Sequence, residues 1–318
     1  MKVLVTGAGG MVGSHMVEDL FLQGKDVLGT YYKPTTDISE IDSRIRMKEC
    51  DVRYYQGILR IISEFMPDQI YHLAAQSYPT VSWEYPQVTT DTNINGTINV
   101  FEAIKEVRKT HPDYDPIIIV ACSSAEYGQT LNELDDPYVL ETAELKPLHP
   151  YGVSKVGQDL LSFQYFMNDN IRCIRVRIFN STGTRKVNDV TSDFTYRAVQ
   201  AEKSGKWTLR CGNLDTQRAI MDQRDLVNGL ILLADKGTPG DVYNLSSEHC
   251  YYMRDIVSMI EKEVGHKFDI EIDPELLRPT DEKIIIGNID KLKKDTGWKQ
   301  VITMEQTIAD MLQYWRSK

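Results

Sequence analysis

The chain has 318 residues, 42% of them hydrophobic and 26% charged, enough for one large domain or two intimate ones around a sizeable core. Its formal net charge of −10 excludes a general nucleic-acid binder, so an anionic ligand must be met by a local basic pocket. No apolar run approaches the ~18 residues of a membrane span, the opening MKVLVTGAGG lacks a signal peptide's apolar stretch, and the five scattered cysteines form no CxxC, which argues against disulfides and a metal site and fits a cytoplasmic protein.

Residues 2–7 (KVLVTG) read as a short buried strand ending in glycine. Residues 11–24 carry apolar side chains at helical spacing up to a glycine stop. Further strands are predicted at 25–32, 46–52, 68–75, 115–124 and 171–180, with helices at 54–65, 93–109 and 150–169 between them. This alternation predicts an α/β fold, a doubly wound parallel sheet with helices on both faces. After Asn180 it fades into isolated helices at 192–205 and 253–265, with one more short strand at 240–247. The expected domains are therefore interleaved: 1–179 plus 218–245 carry the main sheet, and 180–217 plus 246–318 form a smaller part over its ligand edge.

TGAGGMVG puts Gly7, Gly10 and Gly13 between the first strand and the first helix. One glycine makes the tight turn, one admits a pyrophosphate to backbone N–H groups at Met11 and Val12, and one lets helix and strand pack closely. A dinucleotide site follows. The second strand ends in GTYYK, with no carboxylate for ribose hydroxyls before Asp37. Tyr32 can stack or hydrogen-bond and Lys33 can meet a 2′-phosphate, which leans towards NADP over NAD. Lys33 can equally be a solvated loop residue. Asp51, ahead of Val52, is placed to accept from the adenine amine or to cap the next helix.

With TGAGGMVG, CDV, HLAAQS, CSSAEYG and YGVSK in this order, the chain resembles the extended short-chain dehydrogenase/reductase family over essentially its whole length. FNSTG, VTSDF, GNLDTQRAIMDQRDLV and LLRPTDEK are similar to its GDP-mannose branch of 4,6-dehydratases and 4-keto reductases. The resemblance implies a Rossmann-type domain with a smaller nucleotide-sugar domain, an NAD or NADP cofactor and a GDP-sugar substrate. It also implies a homodimer or tetramer built on the helices starting near Thr92 and Pro150. Leu73, Ala74 and Ala75 become cofactor contacts. Asn180, Arg218 and Arg278 become contacts to the sugar nucleotide, with Ser77, Val190 and Phe194 beside them.

Ser123, Tyr151 and Lys155 become the catalytic residues. Tyr151 and Lys155 lie four apart, on one helix face. A free tyrosine titrates near ~10, and a nearby lysine ammonium and nicotinamide cation should lower that value. Lys155 would also hold the nicotinamide ribose. Tyr151 would exchange a proton with the sugar's C4 oxygen, and Ser123 would hydrogen-bond the same atom.

Two features depart from a dehydratase. There the assisting serine or threonine is followed two positions later by a glutamate, which removes the C5 proton and helps expel water from C6. Here that position is Ala125. Glu126 is adjacent, and in an extended segment it points to the opposite face. Ser192 and Asp193 also stand where dehydratases tend to carry basic residues. The sequence therefore reads as an enzyme of NAD(P)-dependent hydride transfer at C4 of a GDP-linked manno-type sugar, by 4-keto reduction or C4-hydroxyl oxidation. The alternatives are a GDP-mannose 4,6-dehydratase with an unusual acid/base and a nucleotide-sugar C4 epimerase. An idle dinucleotide sensor is a third, against which the intact Ser123, Tyr151 and Lys155 argue.

Overall fold

Val3, Leu4 and Val5 are wholly inaccessible, a continuous apolar run that suits a strand covered on both faces. In the computed structural model, which describes residues 1–276 and 282–318, this strand is β1 (Lys2–Thr6). The central sheet adds β2 (Asp26–Tyr31), β3 (Arg46–Glu49), β4 (Gln69–His72), β5 (Ile117–Ser123), β6 (Cys173–Ile178) and β7 (Val242–Leu245). All seven are parallel, in the order β7-β6-β5-β4-β1-β2-β3. The order reverses between β1 and β4, which opens a crevice at the carboxyl ends of those strands.

The longer helices are α1 (Met11–Leu22), α2 (Tyr55–Phe65), α3 (Gly96–Arg108), α4 (Pro150–Asp169), α5 (Val190–Ser204), α6 (Gln223–Lys236), α7 (Met253–Val264) and α8 (Met304–Arg316). Alternate residues of β1 point to opposite faces. Val3 and Val5 meet Met16, Val17 and Leu20 of α1 and Leu226 and Leu230 of α6. Leu4 meets Ile58 and Ile62 of α2 and Val100, Phe101 and Ile104 of α3. The predicted doubly wound sheet is thus present.

A third apolar cluster unites Ala198 and Val199 of α5, Ile256 and Ile260 of α7, and Ile308 and Leu312 of α8. Beside it lies a small sheet of Cys250–Tyr252, Gln217–Ala219, Ile284–Gly287 and Tyr138–Val139, in that order. The sequence reading had only loops and helices there. Strands of two to four residues are too short to display a period of two.

His72, at the end of β4, is buried between two threonines. Its Nδ1 lies 2.9 Å from Thr6 Oγ1 and its Nε2 3.0 Å from Thr97 Oγ1. Burial holds its pKa down to about 3 from an ordinary 6.5. The unfolded chain therefore binds a proton that the folded chain refuses. This stability is whole above the ordinary histidine value and is lost as pH falls from there towards the depressed value, by about 1.4 kcal/mol per unit. Urea titrations should show that slope in the native protein, and a shallower one in His72→Gln.

Candidate active site

The chain leaves β1 through Gly7, whose φ is +76°, a conformation that favours glycine. A Cβ at Gly7 would lie 2.7 Å from the Ala74 nitrogen, and one at Gly13 would lie 2.2 Å from the Gly7 carbonyl oxygen. Both glycines are dictated by packing. Gly10 is different. Its Cβ would come no closer than 3.4 Å to any protein atom. Gly10 is also the N-cap of α1 and offers no side-chain cap, so the amides of Met11, Val12 and Gly13 and the positive end of the helix face that open side. This cradle fits a pyrophosphate. Leu73–Ala75 are drawn against it by hydrogen bonds from the Leu73 and Ala74 amides to Thr6 O and Oγ1, at 3.2 and 3.3 Å.

On the far side of α1's N-terminus, the exposed Tyr32 has two cations near its ring. Lys33 Nζ is 5.5 Å from the centroid and the Arg53 guanidinium 5.8 Å. β3 stops at Glu49, and Asp51 sits in the following turn. Arg53 engages both Asp51 oxygens, Nε at 3.1 Å and Nη2 at 2.6 Å. The cap of α2 is Tyr54, so Asp51 is not a helix cap. Val52 is buried under α3, and its carbonyl accepts from Asn99 Nδ2 at 2.9 Å. Tyr32, Cys50, Asp51, Tyr54 and Arg60 line a cavity of about 400 Å³. Arg53, missed in the sequence, brings a second cation to this corner, one already paired with Asp51.

β5, buried throughout, ends in Ser123. α4 starts at Pro150, with His149 Nδ1 accepting from the Gly152 amide at 3.0 Å. A Cβ at Gly152 would fall 2.6 Å from the Ala125 carbonyl oxygen, so glycine lets α4 press against the turn after β5. The contact brings the Ser123 hydroxyl up to the Tyr151 phenol, whose pKa it lowers. Lys155 Nζ donates to Ala121 O at 2.7 Å and Gln158 Oε1 at 2.8 Å, and lies 5.8 Å from the Tyr151 ring centroid. The three proposed catalytic residues are therefore gathered at the carboxyl end of β5.

Burial pushes Tyr151 up to about 12, against a smaller lowering from the Ser123 hydroxyl. Burial also pulls Lys155 down to about 8. The lysine is aimed at a backbone carbonyl and Gln158, so desolvation outweighs its pull on the phenol. The protein's own groups hold Tyr151 as a proton donor.

The segment after Ser123 is a tight 3-10 turn over Ser124–Glu126, not the expected extended chain. Glu126 nevertheless turns inward. It is wholly buried, and its Oε1 accepts from the Ser123 amide at 2.8 Å. Ala125 keeps its methyl in the turn above it.

Another residue missed in the sequence is Asn93. It lies in a π-helical turn over Asp91–Asn95 that leads into α3. Its Oδ1 accepts from the Gln76 amide at 2.8 Å and its Nδ2 donates to Ser154 Oγ at 2.8 Å. It thereby ties the loop after β4 to α4. Ser77 is exposed in that loop, and Asn180 is exposed just beyond β6, on the same sheet edge as Ser123. Val190 is exposed at the start of α5. Arg218 lies in the small sheet, with Nη1 donating to Gln217 O at 2.9 Å and Glu282 O at 2.8 Å. Phe194 is buried with Ala198 and Leu209 in the third apolar cluster. Arg278 lies outside the described residues.

The sequence profile described as GDP-mannose 4,6 dehydratase matches residues 4–311. The chain belongs to the GDP-mannose 4,6-dehydratase family. Among its relatives, the GDP-6-deoxy-D-mannose reductase of Pseudomonas aeruginosa is 25% identical over 100% of this chain and 98% of its own. The GDP-mannose 4,6-dehydratase of Vibrio cholerae is 24% identical over 97% of this chain and 92% of its own. A solved structure described as RMD from Pseudomonas aeruginosa complexed with NADPH shares the fold with a TM-score of 0.83, at 23% identity and 99% coverage of both chains. Membership makes this chain an NAD(P)-dependent nucleotide-sugar enzyme of the extended short-chain dehydrogenase/reductase type.

Proposed function

We propose that the protein reduces the 4-keto group of a GDP-linked 6-deoxy-manno-type sugar. The observation that carries this reading is the joining of Ser123, Tyr151 and Lys155 beside a turn whose glutamate faces inward. The glycine turn and the amides of Met11 and Val12 would hold a reduced nicotinamide cofactor, which would supply the hydride for sugar C4. Tyr151, held as a phenol, gives its proton to O4, so the ketone gains one hydride and one proton. Ser123 hydrogen-bonds the same oxygen and polarises the carbonyl. Lys155 anchors the cofactor ribose and, once it engages that group, draws the tyrosine towards ionisation. Oxidation of a C4 hydroxyl is the microscopic reverse on the same residues.

The pairing of Lys33 and Arg53 around Tyr32 favours a 2′-phosphate, and hence NADP. Asp51, held by Arg53, would then border the adenine rather than bind it alone. Ser77, Asn180, Val190, Arg218 and Arg278 remain the proposed sugar-nucleotide contacts, within the domain division expected from sequence. Val153, Leu160, Phe163 and Met167 form an exposed apolar stripe on α4, which supports a homodimer through this helix. No helix among the described residues is long and apolar enough to cross a membrane. The cytoplasmic assignment rests on the free cysteines.

The test is to supply GDP-4-keto-6-deoxymannose with NADPH or NADH. Nicotinamide absorbance should fall while mass spectrometry shows the sugar nucleotide gaining two hydrogens. Turnover of a nucleotide sugar with no net change in nicotinamide and inversion at C4 would establish the epimerase reading instead.

A further inference from the structure

Behind Ser123 lies a buried charge cluster that the proposed chemistry leaves unused. Asp159 is on α4, four residues after Lys155 and eight after Tyr151. Arg175 and Arg177 reach it from β6. Arg175 Nη1 is 2.6 Å from Asp159 Oδ1, and Arg177 Nε is 3.0 Å from Oδ2. Arg177 is fixed further by Tyr127 OH at 3.0 Å and Glu141 O at 2.9 Å, and Arg175 by Gly240 O at 2.9 Å. Glu126 joins the cluster from the turn after β5. Its ligand atoms, those of Asp159 and the Cys122 thiol lie within 4.8 Å of one another, but the two guanidiniums already neutralise the carboxylates, so a cation has no electrostatic call on the site.

Glu126 uses its two oxygens differently. Oε1 accepts from the Ser123 amide at 2.8 Å. Oε2 lies 3.2 Å from Arg177 Nε, yet receives no aligned hydrogen bond from it. Arg177 Nε in turn lies 3.0 Å from Asp159 Oδ2, so the guanidinium joins the two carboxyl groups. Burial, and then the charge of Asp159, raise Glu126 well above the usual carboxylate range, against the opposing pull of Arg177.

We infer that Glu126 is a positioning residue: its side chain spans from the Ser123 amide to Arg177, which holds Asp159, and so fixes the catalytic serine relative to the helix bearing Tyr151 and Lys155. This rests on the proposed proton-transfer role of Ser123 and Tyr151. Misplacing reacting groups by about 1 Å can cost up to roughly 10²-fold.

The bridge makes an inverted prediction about conservative changes. Glu126→Gln has the same length and still accepts from the Ser123 amide, so kcat should stay within about threefold, with an unchanged pH profile, because positioning needs the acceptor and not its charge. Glu126→Asp remains an acid but is one methylene too short to span both partners. Its kcat should fall roughly 10–100-fold, with KM for the sugar nucleotide within about twofold, when assayed well below the melting temperature. A Gln variant as impaired as Asp would overturn the inference and make Glu126 an ionising group. An Asp variant that melts earlier but keeps wild-type kcat would overturn it in favour of a purely structural role. If Asp fails to fold, the Gln variant decides through its kcat and pH profile. Near-normal activity in Tyr151→Phe would instead defeat the proposed function itself, whatever the Glu126 variants do.

Discussion

Tyr151→Phe should fold normally, bind dinucleotide normally and turn over roughly 10²–10⁴-fold more slowly. The substitution removes one oxygen. Lys155 keeps its bonds to the Ala121 carbonyl and Gln158, so the ribose anchor survives. Gly152 still seats α4 on the Ala125 carbonyl, so the helix does not move. What disappears is the proton donor and its contact with the Ser123 hydroxyl. Single-turnover mixing with the 4-keto substrate separates this chemical step from product release. A rate near that of the native protein would remove Tyr151 from the mechanism.

GDP-mannose should not be dehydrated at a useful rate. Dehydration needs hydride loss from C4, removal of the C5 proton and release of the C6 oxygen as water. Ser123, Tyr151 and Lys155 suffice for the first. The other two need an acid/base beneath C5 and C6. At the position where dehydratases carry a glutamate, this chain presents the methyl of Ala125, and Glu126 is committed to the Ser123 amide and the arginine cluster. Lacking a general acid or base, those steps should slow by roughly 10²–10⁴-fold. Incubation with oxidised cofactor, followed by mass spectrometry, reads the outcome. Prompt loss of one water would sink this expectation and assign the dehydratase chemistry to another carboxylate.

The parts of the molecule legible in the sequence share a physical cause: each is a local rule. The glycines of the first turn, the strands of the central sheet and the Tyr151–Lys155 spacing are all set within a few residues of chain. What escaped depends on distant partners. The small sheet joins Tyr138–Val139 to Ile284–Gly287, Gln217–Ala219 and Cys250–Tyr252, strands that gain their meaning only from one another. Asn93 reads as an ordinary helical residue until the π-helical turn aims it at Gln76 and Ser154. Phe194 is a ligand contact by its motif alone, and helical spacing also places it with Ala198 on the buried face of α5. Spacing reveals that Lys155 is near but not that its ammonium is aimed at Ala121.

The position of β7 in the sheet bears on how the polypeptide is made. β1 to β6 can pair once residue 178 has left the ribosome, but the partner of β6 is Val242–Leu245. Until that segment emerges, β6 offers an open hydrogen-bonding edge whose Cys173, Ile174 and Val176 are wholly buried in the finished protein. α6, which covers one face of the sheet here, arrives only shortly before. A nascent chain paused between these points is a template for pairing with its neighbours. The sheet is thus closed by its latest strand, and a polypeptide ending near Asn180 is an unfinished edge rather than a free-standing nucleotide-binding unit.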